Sequence, residues 1–289
     1  MLGVVGGSGL YDIEVLERVT TVEVATPFGR PSAAYTRGVL PRTDGPPLSV
    51  VFLPRHGPGH VLLPGEINYR ANIHGFKQLG VTHLLSVSAV GSLQEAIAPG
   101  HLVAPDQIID RTRGRASTFF GDGIAAHVQL GDPVCRLLRA RLCAAARAEG
   151  AELHDGGTYV AMEGPAFSTR AESNLYRTWG ASVIGMTAMP EAKLAREAEI
   201  AYAILALSTD YDCWHLGAEE VSVDAVVAVI QQNVALARRV VTRLAESLPH
   251  ATAALPYPRS LEHAIITDRA RIPPETRARL DLIVGHHLR

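Results

Sequence analysis

Cysteine is scarce in this chain. Cys135, Cys143 and Cys213 are three in 289 residues, an odd number with no metal-ligand spacing. That excludes a disulfide-dense scaffold and a cysteine-built zinc site, and predicts reduced thiols in a cytosolic protein. An excess of charge is also missing, the formal net charge being −2 at pH 7. Nucleic-acid binders carry a basic excess or stripe, so nucleic acid is not an expected partner. No apolar run approaches the roughly 20 residues that span a bilayer, so neither is a membrane. The N-terminus lacks the basic segment and long apolar core of a signal peptide. No repeat or low-complexity tract divides the chain. With 47% hydrophobic residues, it has the composition of an ordinary cytoplasmic globular enzyme, long enough for one large domain or two small ones.

Apolar runs of strand length alternate with segments of helical period. The expectation is an α/β fold: a single domain with a central mixed, mainly parallel β-sheet flanked by helices. Several of these runs end in residues that carry chemistry. Leu2 to Val5 leads into Gly6-Gly7-Ser8-Gly9, a glycine turn with a hydroxyl, which fits either a tight turn or a cradle of backbone N–H groups for an anion. Leu48 to Leu53 reaches Arg55 and His56 in a Gly/Pro-rich loop, and both side chains can donate to a phosphate. His83 to Val87 opens into Ser88-Ala89-Val90-Gly91-Ser92. Ile200 to Leu207 ends in Ser208, Thr209, Asp210, Tyr211 and Asp212. The two acids share a face if the chain stays extended and diverge if it turns there. They either enter a pocket, where open α/β sheets place their ligands, or act as turn residues at a strand end.

Other segments have structural readings. Leu102 to Ile109 reads as one strand, and Asp110 to Leu130 as a long, mobile loop. Asp132 with Pro133 predicts a helix running to Gly150, and Pro64 to Leu79 another. Thr169 and Glu172 have the spacing of a capping box. Pro190 suits the first residue of a helix to about Glu197, and Ser222 the cap of a long helix to about Leu244. From His250 onward the composition turns to Pro, Arg and short helical pieces. Residues 1–249 are therefore taken as the functional domain and 250–289 as a C-terminal extension of unknown role.

Six motifs, in order, resemble the trimeric purine nucleoside phosphorylase family: Gly6-Gly7-Ser8-Gly9, Thr26-Pro27-Phe28-Gly29, Arg55-His56-Gly57, Glu163-Gly164-Pro165-Ala166-Phe167-Ser168, Met186-Thr187 with Pro190-Glu191, and Thr209-Asp210-Tyr211-Asp212-Cys213-Trp214. The match runs from about residue 3 to 245. Ala188-Met189 departs from the Thr-Val usual between the Met-Thr and Pro-Glu pairs. The resemblance implies a homotrimer that cleaves an N-glycosidic bond with inorganic phosphate as co-substrate, and no metal or organic cofactor. It assigns phosphate to Ser8, Arg55, His56, Ser88, the Ala89 N–H and Thr187. Phe167 is to stack on the purine and Met186 to lie under the ribose. Asp210 is to protonate N7, if burial raises its pKa.

Hydrogen-bond sign orders the substrates. Relatives that cleave 6-oxopurine nucleosides carry a glutamate and an asparagine where this chain has Ser168 and Asp210. A serine can donate to the bare N1 of adenine, where a buried glutamate would be an unpaired charge. A 6-aminopurine is thus expected, with Asp212 near N6, and a 6-oxopurine nucleoside is the alternative. Val221, Val223 and Val226 fall in the region that the family uses for the 5′-substituent and suit an apolar 5′-methylthio group, and His127 resembles a histidine lent by the neighbouring subunit in that family. The expected reaction is phosphorolysis of 5′-methylthioadenosine. A purine-binding protein without turnover is the rival from another class.

Overall fold

The computed structural model describes residues 1–7, 10, 15–42, 45–215, 223–249 and 259–289, and only the backbone at 223–228 and 230. Its strands form one branched, mixed sheet of 11 strands. At the centre lies β5 (His83–Ser92). Along one edge it pairs in parallel with β1 (Leu2–Gly6), which in turn pairs in parallel with β4 (Leu48–Pro54). Along the other edge it pairs in parallel with β11 (Ala201–Asp210). β1 is buried at every position and β11 at all but the last. Such continuous apolar runs belong to parallel strands covered on both faces. β2 (Glu17–Val22) and β3 (Tyr35–Leu40) extend the β4 side antiparallel, and the exposed β2 ends the path with glutamate, arginine and threonine. Charged and short edges of this kind resist pairing with another chain.

The stretch expected as one strand, Leu102 to Ile109, is two. β6 (Leu102–Ala104) pairs with β11 and with β8 (Leu153–Asp155), whereas β7 (Gln107–Arg111) pairs with β9 (Thr158–Met162). Pro105 stands between them and has no N–H to continue a ladder. β9 pairs in parallel with β10 (Val183–Gly185), which returns antiparallel to the end of β5.

Helices cover the sheet. α1 (Tyr69–Gln78) begins later than Pro64 because Asn68 caps it, its Oδ1 accepting the Ala71 N–H at 3.1 Å. α2 (Arg136–Ala148) starts after Cys135, whose N–H donates to Tyr202 O at 2.7 Å, so Asp132 is not its cap. α3 (Arg170–Thr178) has the expected capping box of Thr169 and Glu172. α4 (Ala188–Glu197) is helical from Pro190, because Met189 is extended. α5 (Val223–Ser247) packs on α2 and β11, and Asn233 in it donates to Ser208 O at 3.0 Å. Its expected cap, Ser222, lies outside the described residues.

The loop after β7 is fastened to the body rather than free. Phe119 is buried in the core, and the carboxylate of Glu197 accepts both the Phe119 N–H and the Thr118 hydroxyl at 2.7 Å. The C-terminal extension closes over the far part of this loop. Leu261, Ala264, Ile272, Leu280, Ile283 and Val284 join the main core, and Ala126 bridges to Ile265. α6 (Pro274–Arg279) and α7 (Asp281–Val284) follow, with a last turn at Gly285–His287, and Thr276 in α6 donates to Asp122 O at 2.6 Å.

Candidate active site

The central strand is flanked differently along its length. β1 accompanies β5 only as far as Ser86, and β10, running the opposite way, accompanies it only from Ser92 back to Gly91. Because β11 pairs with Gly91 as well, β10 must occupy the same edge as β1. The two strands therefore point at each other across Val87 to Val90 without filling that stretch. Continuing the β10 register brings Met186 and Thr187 level with Ala89 and Ser88. Ala89 is exposed in the middle of a ten-residue strand, as such an opening requires.

Backbone direction follows from two bonds. Val87 O accepts from Arg55 on the β1 side at 3.2 Å, and Val90 O from Thr209 on the β11 side at 3.2 Å. Alternate residues of a strand address opposite edges, so the Ala89 N–H faces the opening, as Val87 does. Thr187 borders it with a buried hydroxyl that meets no hydrogen-bond partner among the described residues, although it lies by the Tyr159 hydroxyl. Ser88 Oγ is 3.5 Å from the same Tyr159 hydroxyl. Among the described residues, Gly7, just after β1, has nothing within 4 Å of where a Cβ would stand. Ser8 lies outside the described residues.

Arg55 reaches this region through its bond to Val87 O and is 2% exposed. Its Nε and Nη2 pair with the Glu191 carboxylate, and Nη2 also approaches Ser86 Oγ (2.7 Å) and Val5 O (3.3 Å). Ser86 and Tyr202 complete the cage around Glu191, donating to Oε2 at 2.9 and 3.1 Å. A guanidinium has five N–H groups. Among the described residues, only one Nη1 hydrogen of Arg55 is left without an acceptor, and its charge is already matched by Glu191. His56 stacks on His60 at 4.1 Å, and its Nδ1 lies 2.8 Å from Leu62 O. Burial holds its pKa down at about 4. In the neutral ring Nδ1–H donates to Leu62, and Nε2 is an acceptor.

Asp210 stands at the other side of β5. A bulge inserts Thr209 between the pairs Ser208–Val90 and Asp210–Gly91, re-aiming the strand end as bulges beside sites do. Asp210 is partly buried and locally oriented: Oδ2 accepts from Thr209 Oγ1 and Oδ1 from the Asp212 N–H, both at 2.7 Å. The chain turns at Tyr211, so the acids diverge. Asp212 has φ of 52°, and its Oδ2 is buried near Ser173 of α3 without hydrogen-bond geometry. Desolvation raises its pKa.

The rim comes from β9 and β10. Met186 lies against Gly164, its Sδ 2.5 Å from where a Cβ would stand, so no side chain fits there. Ser168 Oγ donates to Met162 Sδ at 3.4 Å, and Ser168 O accepts from Cys213 at 3.2 Å, which joins this loop to the one after β11. Phe167 is 78% exposed, an uncovered aromatic face beside these groups. His127 is exposed on the loop held by the extension, its N–H donating to Ala264 O at 2.9 Å. Val221 is outside the described residues, and for Val223 and Val226 only the helical backbone is described.

Two residues were not singled out from sequence. Glu191 belongs to a quoted motif, yet nothing in it disclosed a buried partner for Arg55. Arg115 sits in the loop read as mobile, and its side chain is 2% exposed. It donates to Glu163 Oε1 (3.1 Å), Tyr69 OH (3.1 Å), Met186 O (2.6 Å) and Met189 O (2.9 Å), and also to Glu163 O. One guanidinium thus ties together the loops after β9 and β10 and the start of α1.

The same burial predicts acid sensitivity. His56 and His83 are each held down to about 4 by burial, and His74 and His154 are lowered too. Unfolding returns them to about 6.5, so between these values the unfolded chain binds more protons and stability rises with pH. Glu197, raised by burial to about 7, and Asp212 act in the opposite direction. The histidines outnumber them. The urea midpoint is therefore expected to fall between pH 7 and pH 5, and a midpoint equal or higher at pH 5 would contradict these assignments.

Comparison with known proteins places the chain in a family. Residues 1–246 match the model of the phosphorylase superfamily. The S-methyl-5′-thioadenosine phosphorylase of Geobacter sulfurreducens is 58% identical over 289 residues, covering 100% of this chain and 99% of that one. The Synechocystis enzyme of the same name is 52% identical, covering 99% and 87%. Among solved structures, a methylthioadenosine phosphorylase from an antarctic soil metagenomic library superposes with a TM-score of 0.89 at 45% identity, covering 98% of each chain. Methylthioadenosine phosphorylase from Schistosoma mansoni in complex with adenine gives 0.80 at 33%, covering 98% of this chain and 97% of that one. The chain belongs to the phosphorylase superfamily.

Proposed function

We propose that this protein cleaves 5′-methylthioadenosine with inorganic phosphate, releasing adenine and 5-methylthioribose 1-phosphate. The observation that carries the reading is the 58% identity, over the whole chain, to a protein named for that activity. Phosphate takes the opening on β5, among the Ala89 N–H, Ser88, Thr187 and Ser8. The buried Thr187 hydroxyl supports this assignment: among the described residues only the Tyr159 hydroxyl lies by it, without hydrogen-bond geometry, so a ligand can supply a partner. Arg55, neutralised by Glu191, orients the anion without quenching it. His56 accepts a hydrogen bond from the protonated oxygen of hydrogen phosphate through Nε2.

A phosphate oxygen then bonds to C1′ as the C1′–N9 bond breaks. The bonding pair passes to the purine, and Asp210 delivers a proton to N7, to be reprotonated from solvent. Phe167 covers the base, Ser168 donates to N1 and Met186 lies under the ribose. Asp212 assists near N6. Val221, Val223 and Val226 surround the methylthio group, and His127 reaches the site of a neighbouring subunit in a cytoplasmic homotrimer. Among the described residues no helix is long and apolar enough to cross a membrane.

A panel of methylthioadenosine, adenosine, inosine and methylthioinosine, each with and without phosphate, tests the reading. Phosphate-dependent adenine release, fastest from methylthioadenosine, is expected. Faster hypoxanthine release would favour the 6-oxopurine alternative, and adenine release without phosphate would mean hydrolysis.

A further inference from the structure

Both ends of the described part of the C-terminal extension close on one buried carboxylate. Glu199 follows Ala198, the C-cap of α4, with a left-handed φ of 54°, and its side chain is 6% exposed. From the start of the extension, the Leu261 N–H donates to Glu199 Oε1 at 3.1 Å. From its end, His287 Nε2 lies 3.1 Å from Oε1 and His286 Nε2 3.1 Å from Oε2. The two rings are 3.9 Å apart between centroids, in a single turn that begins at Gly285. The three ligand atoms fall within 4.8 Å of one another.

Two imidazoles and a carboxylate make a donor set suited to a borderline cation such as Zn²⁺. Zinc–nitrogen and zinc–oxygen bonds of about 2.0–2.2 Å place tetrahedral donors about 3.4 Å apart, close to the 3.1 Å separations here. The same approach also serves two N–H···O bonds. When each imidazole carries its proton on Nδ1, however, both Nε2 lone pairs and the carboxylate are available to one cation. His286 is 53% exposed and leaves a route for a water as fourth ligand. Lys77 of α1 feels the Glu199 charge, so a bound metal must compete with it.

We infer that Glu199, His286 and His287 form a divalent-cation site of the zinc class, which fastens the last turn of the extension to the end of α4. Its influence reaches further along the same segment, because residues 264–267 hold the loop that carries His127. The Ile266 N–H donates to Ala125 O and the Ala125 N–H to Thr267 Oγ1.

The test uses the full-length, tag-free chain after chelation. Titration with Co²⁺ is expected to give visible absorption of four-coordinate intensity saturating at one equivalent, displaced by Zn²⁺, and Zn²⁺ is expected to raise Tm. His286→Ala, at the most exposed ligand, should weaken Co²⁺ binding at least tenfold while the chain stays folded. Glu199→Gln keeps a hydrogen-bond acceptor and should weaken it similarly. Equal Co²⁺ binding by wild type and His286→Ala would place any metal elsewhere and overturn the inference. So would the absence of saturable binding in the wild type.

Discussion

Replacing Asp210 by asparagine is expected to lower kcat by roughly 10²–10⁴-fold, the usual worth of a positioned general acid. The variant isolates the proton. Asparagine keeps the shape, its carbonyl can still accept the Asp212 N–H, and its amide can face Thr209 Oγ1, the two contacts that orient the native carboxylate. KM for the nucleoside and the unfolding midpoint should therefore move little. An amide offers N7 a hydrogen bond but no acidic proton, so the purine must leave as an anion. A kcat within a few-fold of wild type would remove Asp210 from the chemistry, and a collapse of Tm would show that the change was structural.

The second large effect concerns stability. Glu191→Ala leaves Arg55 buried and uncompensated, and breaking one side of such a pair costs about 3–5 kcal/mol. The cage makes this site especially unforgiving, because Ser86 and Tyr202 lose their acceptor as well. Urea unfolding should show the loss. Replacing both partners with apolar residues of similar volume should recover much of it, since desolvation of the two charges is then avoided. If Arg55 orients phosphate, that double variant stays inactive despite its recovered fold. A Glu191→Ala midpoint within about 1 kcal/mol of wild type, well below the cost expected for a buried pair, would mean that water or another anion compensates Arg55.

These expectations rest on features that differed in how plainly the residues announced them. β1 and β11 were legible because a strand buried on both faces must be a continuous apolar run. The capping box at Thr169 and the helix start at Pro190 were legible because their chemistry is local. The start of α2 was not, since a tertiary bond from Cys135 to Tyr202 sets it rather than Asp132 and Pro133. Burial of single charged residues was less legible still. Arg115 lies in a polar, glycine-bearing segment with nothing to distinguish it from a solvated arginine, and only the fold brings six acceptors to it. The fork at Asp210 and Asp212 needed the backbone, because alternation along an extended strand and divergence at a turn are equally compatible with two acids two residues apart.

The unfilled stretch of β5 has one more consequence. Unpaired strand edges invite other chains, and proteins ordinarily blunt them at the sheet's margin. Here, among the described residues, four residues of open edge lie in the interior of the sheet, walled at both ends by β1 and β10. An incoming strand from another molecule finds no length along which to align. Arg55 already donates to Val87 O, so the Ala89 N–H is the backbone group that can stay open to a small ion while the edge stays closed to aggregation.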